Sequence, residues 1–353
     1  MSCSLGCSRS EPPRFRLNTE GRDPVEITTT QVEMITETLA TLFGTPDEPV
    51  APPRTDLQLP LLQMAAGPVR SDAEGNPQGL YRQHCMVCHG ISGDGAGPIA
   101  ALMNPYPRDF RNGVYKYTST SGGAKPVPDD LERTVRQGMP GTSMPAFGTL
   151  SDEEIAALIE YLQYLSLRGE TELYLMQLVV DLDEYLLHVD EVIEDALAPV
   201  AGFWREAPPN VVVPPHPPPV GTSEQLAASI ARGAELFTSD EARCVTCHGP
   251  DGRGDGEQAG ELYDDWNRSK KGATLEQTKQ RAELFRFPIQ QIRPRDFTKG
   301  VFRGGDRPID LYWRIYVGIK GTPMPAGGPT TGSAGVLKPE DIWHVVNHVR
   351  SLH

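Results

Sequence analysis

The chain has 353 residues, a formal net charge of -14 and 38% hydrophobic residues, enough for two or three globular domains at about 100–200 residues each. The acidic balance argues against a nucleic-acid partner, because phosphate binding needs clustered Lys and Arg, and it suits steering towards a basic protein surface. No run approaches the roughly 18 apolar residues that a membrane span requires, while 33 Pro and 35 Gly predict many loops and at least one stiff linker.

Six cysteines fall into two groups. Cys3 and Cys7 lie at the N-terminus; the others form two CxxCH units, Cys85, Cys88 and His89, then Cys244, Cys247 and His248. That division argues against a disulfide framework. The string Ser4-Leu5-Gly6-Cys7 resembles the end of a lipoprotein signal, with Cys7 as the lipidated residue. The apolar stretch that should precede it is missing. Either the start codon is placed too late, or the likeness is chance over a disordered tail.

Residues 1–77 read as an N-terminal extension with one helix at about 30–43, packing on the body or on a partner. A first compact unit follows at 78–168. It opens with a helix leading into the first CxxCH and closes with an amphipathic helix from Ser151, where Ser-Asp-Glu-Glu is a good cap. Ile155, Leu158, Ile159, Leu162 and Leu165 recur there at helical spacing. Residues 169–221 then form a connection. An acidic helix at about 170–198 carries a heptad seam of Leu175, Val179, Leu182, Leu186, Val189, Ile193 and Ala196. Its apolar edge must bury against this chain or against another subunit. A proline-rich spacer at 207–220, extended as polyproline II, separates it from a second unit at 222–353. That unit opens with a helix at 224–237 and closes with one at 339–352.

The two units repeat. "PYPRDFRNGVYK" at 105–116 matches "IRPRDFTKGVFR" at 292–303, and "RQGMPGTSMPAFG" at 136–148 matches "YVGIKGTPMPAGG" at 316–328. His89 and Met144 are 55 residues apart, His248 and Met324 76 apart. The excess is chiefly a charged insertion at about 257–291, partly helical.

Each position in CxxCH has a separate task. Positions i, i+3 and i+4 share a helix face, so two thiols reach the two vinyl groups of one haem and the His stands beneath its iron. A lone CxxCH also suits zinc or a redox dithiol. Two copies, each followed by the same motifs, point to haem.

On these motifs the chain resembles the class I cytochromes c, as a tandem diheme member, over about 78–165 and 233–352. The resemblance implies an all-α fold of two class I domains joined by the acidic helix and the proline linker, and two covalently attached haems c. It implies iron ligation by His89 with Met144 and by His248 with Met324. Met139 faces Ile319 in the repeat, and Met86 and Met103 have no counterpart, so these compete poorly. In the family the ligand His donates to a Pro carbonyl, which Pro98 in "GAGP" matches; the second unit has no such Pro. Arg108 and Arg295 are candidates for haem propionates, or for structural pairs with Asp109 and Asp296. Phe110, Tyr115, Phe297 and Phe302 line the haems or fill the core. His84, unrepeated, reads as a surface residue, and His344 with His348 as helix packing before a metal pair.

A His/Met pair leaves no iron position for a small-molecule substrate. The expected function is therefore electron transfer, not catalysis, with a redox protein or a membrane respiratory complex as partner. Haem attachment places it on the periplasmic side of a bacterial membrane, anchored through Cys7. The alternative is a diheme cytochrome c peroxidase, which needs one vacated iron site.

Overall fold

Thr28 and Gln31 form a reciprocal capping box at the start of the first helix, α1 (Thr29–Phe43). The computed structural model describes residues 12–23, 26–182, 187–264, 274, 276, 277, 280, 283–330 and 332–353, so Cys7 and part of the insertion lie outside the described residues. Strand structure among these is one short antiparallel pair, β1 (Arg70–Ser71) with β2 (Pro77–Gln78); the rest is helix and loop, in keeping with the all-α expectation.

The first unit contains α2 (Leu59–Ala65), α3 (Leu80–His84), α4 (Met86–His89), α5 (Pro128–Gln137) and a long α6 (Asp152–Met176). Ser151 and Glu154 cap α6. Helices α1 and α2 pack on α6, and Ile35, Leu39, Phe43 and Leu62 are fully buried in the same core as Leu158 and Leu165. Each such side chain contributes about 1.5–3 kcal/mol on burial. The N-terminal extension is therefore part of the first unit's core from Phe15 onwards. Gly169 lets α6 touch the next layer, because a Cβ there would overlap the Arg111 backbone.

The acidic segment departs from the heptad expectation. Helix α6 runs on through a π-turn at Gln177–Asp181, and the chain resumes as α7 (Val189–Val192), a second π-turn at Ile193–Leu197, and α8 (Ala198–Arg205). Leu175, Val179 and Ala196 are buried, but Leu182 is 61% exposed, and Leu186 lies outside the described residues. The buried residues join the first unit's core, so the segment packs within the chain.

The proline segment is a strap, not a free spacer. Val212 N–H donates to the Ser119 carbonyl of the first unit at 2.9 Å. On its other side Trp313 and Trp343 donate their indole N–H to the carbonyls of Val212 at 3.0 Å and Pro215 at 2.8 Å. An extended proline-rich backbone has no internal hydrogen bonds, so its carbonyls are free to accept from both sides.

The second unit has its own core, built on α9 (Ser223–Thr238), α10 (Val245–His248), α11 (Pro308–Val317) and α12 (Pro339–Arg350). Thr222 and Gln225 cap α9. Helices α9 and α12 cross at Gly233, where a Cβ would overlap the His344 carbonyl. His344 Nδ1 meets the Ser229 hydroxyl at 2.8 Å, and His348 packs on Phe237; both histidines tie the two helices.

Between the units, Tyr106 stacks on Phe287 with ring centroids 4.8 Å apart. Gln290 accepts from Tyr106 N–H at 2.9 Å and donates to the Met103 carbonyl at 2.7 Å. The Arg133 guanidinium lies over the Trp313 ring at 5.0 Å.

Candidate functional site

Both CxxCH motifs occupy a short helix followed by a glycine turn, and the repeat persists in three dimensions. Gly95 N–H closes on the His89 carbonyl at 2.9 Å, and Gly254 N–H on that of His248 at 2.8 Å. The His89 ring stacks on Phe110 at 4.5 Å and the His248 ring on Phe297 at 4.6 Å. Tyr115 and Phe302 stack behind those rings at 6.0 and 5.9 Å.

The methionine loops match as closely. Met139 N–H donates to the Met144 carbonyl at 3.1 Å, and Ile319 N–H to that of Met324 at 3.2 Å. In each loop a threonine hydroxyl is the clasp. Thr142 donates to the Met139 carbonyl at 2.8 Å and accepts from Met144 N–H at 3.1 Å. Thr322 donates to the Ile319 carbonyl at 2.8 Å and accepts from Met324 N–H at 3.3 Å. Sequence reasoning passed over these threonines, although "GT" stands in both copies.

In the first unit a cavity with about 1000 Å³ of atom-free space, part of it open to solvent, brings Cys85, Cys88, His89 and Met144 together. Its apolar and aromatic walls include Tyr115, Tyr117, Leu131 and Pro105. Its cations are Arg108, Lys116 and Arg303, and among the described residues no Asp or Glu lines it. Met103 and Met139 reach the same cavity, as does His84, which sits edge-on to Phe147 at 5.7 Å. His84 is thus a wall of the site and not a surface residue.

The partner of the His89 ring differs from the sequence expectation. Nδ1 meets the Arg108 carbonyl at 3.0 Å, while Pro98 is exposed on the next turn. Pro98 is therefore not the acceptor; the turn at 108–111 swings a backbone carbonyl over the ring. In the second unit the Arg295 carbonyl stands beside His248 and favours its proton, without a hydrogen bond of regular geometry reaching Nδ1. Burial pushes both imidazoles down to about 4, against the pull of those carbonyls. Both rings are neutral at pH 7, as iron ligation requires.

Burial moves the thiols the other way, Cys85 up to about 12 and Cys244 up to about 11. A dithiol built for exchange has a depressed thiol pKa, so the redox-dithiol reading fails. Among the described residues no group of three or more His, Cys, Asp or Glu is arranged to hold a metal ion, which disfavours zinc. Asp109 is engaged by Arg111, at 2.9 and 2.8 Å, and Asp296 by Thr298 and Lys299. Arg108 instead lines the cavity. Arg295 packs against Gly141 of the first unit, its buried Nε without a hydrogen-bond partner among the described residues.

A flat macrocycle with two vinyl groups, an iron and two carboxylates fits this donor set: paired thiols, a neutral His, a Met loop and three cations. Residues 72–162 match the family described as cytochrome c oxidase, cbb3-type, subunit III, and residues 230–353 match the cytochrome c family. The chain is a tandem diheme c-type cytochrome. The cytochrome is also similar to a solved chain from a Kuenenia stuttgartiensis reducing HAO-like protein complex, at 28% identity and a TM-score of 0.53. The match covers 81% of the cytochrome and 98% of that chain. No curated protein matches it.

Proposed function

We propose that this cytochrome carries two covalently attached haems c and relays single electrons between redox partners, as a subunit of, or donor to, a larger membrane-associated redox assembly. The carrying observation is the cavity in which both thiols, His89 and Met144 converge beside three cations. Bound haem supplies a one-electron Fe(III)/Fe(II) couple, and a soft thioether ligand raises its potential. Cys85 and Cys88 would hold the first haem and Cys244 and Cys247 the second. His89 with Met144, and His248 with Met324, would hold the two irons, and a protein-ligated iron would supply electron transfer in place of substrate chemistry. Arg108 carries cationic charge into the first cavity, and Arg295 lies against the Met144 loop at Gly141.

The match to an oxidase subunit III and the likeness to a chain of an HAO-like complex both support a docked subunit over a free carrier. The working side is the periplasmic face, where haem c is attached, with an acyl anchor at Cys7.

The test uses the full-length holoprotein. Two haems per chain by the alkaline pyridine assay are expected, together with a near-infrared methionine–iron band. Met144→Ala and Met324→Ala should each remove part of that band and admit carbon monoxide, while Met139→Ala should not. Carbon monoxide binding readily to the parent at one haem would overturn the carrier reading and favour a peroxidase.

A further inference from the structure

The repeat sets Arg303 at the place of Lys116, at the end of the PRDF segment. The two cations nevertheless meet at one cavity, the first unit's, which Arg303 enters from the second. Its main chain is held firmly: the buried Arg314 guanidinium donates to the carbonyls of Arg303 and Gly305. Gly304 lies directly under the Tyr117 ring, which leaves no room for a Cβ. From this fixed base Arg303 Nη2 donates to the Gly141 carbonyl, in the Met144 loop, at 3.2 Å. Its Nε is buried without a hydrogen-bond partner among the described residues.

That arrangement is incomplete. Burial depresses the Arg303 pKa, and Arg295 adds repulsion, against attraction from Tyr117 and Asp264. Asp264 is already paired with Lys116 at 2.5 Å, and among the described residues no carboxylate lines the cavity. A buried guanidinium N–H left unmade is costly, and the guanidinium fork is suited to two oxygens of one carboxylate.

We infer that the first cofactor site is completed across the seam: Arg303 of the second unit binds a carboxylate of the haem held by the first. The inference rests on the haem reading of the cavity. Its consequence is that the first haem is tuned by a residue outside its own unit.

Redox titration of the full-length holoprotein tests this, after haem content is measured. Each midpoint is assigned by which of Met144→Ala and Met324→Ala displaces it. In Arg303→Gln, loss of a buried positive charge favours the oxidised iron. The midpoint of the Met144 site should fall by about tenfold in the reduction equilibrium, 59 mV for one electron, with a smaller change at the other site. Arg303→Lys keeps the charge and should recover at least half of the shift, which a merely structural role would not do. An unchanged Met144-site midpoint, an equal fall in both variants, or a fall confined to the Met324 site would overturn the inference. Fewer than two haems in the parent would instead overturn the haem reading beneath it.

Discussion

Replacing Asp109 by Asn should cost the first unit far more than the matching Asp296→Asn costs the second. Arg111 is almost wholly enclosed, with side-chain exposures of 2% for Arg111 and 6% for Asp109. Burial works against the Arg111 charge, and attraction to Asp109 outweighs it. Asp109 accepts Nε at 2.9 Å, Nη2 at 2.8 Å and the Arg111 backbone N–H at 2.9 Å. Breaking a buried pair by removing one partner costs about 3–5 kcal/mol. Glu172 and Asp94 also attract Arg111, and Asn keeps one acceptor, so about 3 kcal/mol is expected. Asp296 has Thr298 in place of the arginine, accepts from that hydroxyl at 2.6 Å and is partly solvated. Asn is as good a cap as Asp, so Asp296→Asn should cost under about 1 kcal/mol. With a urea slope of about 1–3 kcal/mol/M, the midpoints should differ by about 1 M or more. Urea unfolding of the two holoprotein variants, followed by far-ultraviolet circular dichroism and haem absorbance, measures this. Equal midpoints would refute the claim that the Arg111 charge depends on Asp109.

Two further expectations concern the seam and the anchor. Burial pushes Lys320 down to about 8, against the attraction of Asp130 and with repulsion from Lys125, while its ammonium donates to the Ala124 carbonyl. Unfolded, the group titrates near about 10.4, so between those values the unfolded chain binds more protons and stability rises with pH. The Lys320 penalty is full below about pH 8 and fades above it. The Tm of Lys320→Met relative to the parent should therefore fall from pH 7 to pH 10; a constant difference would sink the assignment. For the proposed anchor, labelled fatty acid should enter the parent and not Cys7→Ser, and an unlabelled parent would remove the lipid from the account. One acyl chain gives only marginal membrane binding, so a docked partner or a second chain is also required.

What could be read from the sequence was local or repeated. The cap at Ser151 starts α6 where its capping box stands, and the CxxCH and methionine loops declare themselves by recurring. The heptad seam misled because side-chain spacing carries no sign of where a helix stops. Leu182 fits the period yet is exposed, where the chain leaves the π-turn. The acceptor for His89 was missed because a backbone carbonyl has no side-chain signature, so Pro98 was favoured on resemblance while Arg108 supplied the oxygen. The strap was taken for a spacer because its contacts are to indoles about 100 residues and more further on. Arg303 was visible only as the counterpart of Lys116; which cavity it enters is decided by docking of the units.

That docking bears on how the two redox units divide their work. On a free tether, exchange between them would wait on encounters set by linker length. Here the strap bonds both units, Tyr106 stacks on Phe287 and Arg303 reaches the Met144 loop, so the partners are already in place. The repeats share their ligating residues and differ beside them. Met139 faces Ile319, Arg111 faces Thr298, and the His89 hydrogen bond has no regular equivalent at His248. Such surroundings orient metal ligands and tune the metal. The same ligating residues in unlike surroundings predict different midpoints for the two sites, and across a fixed gap such a difference would give transfer within the chain a direction.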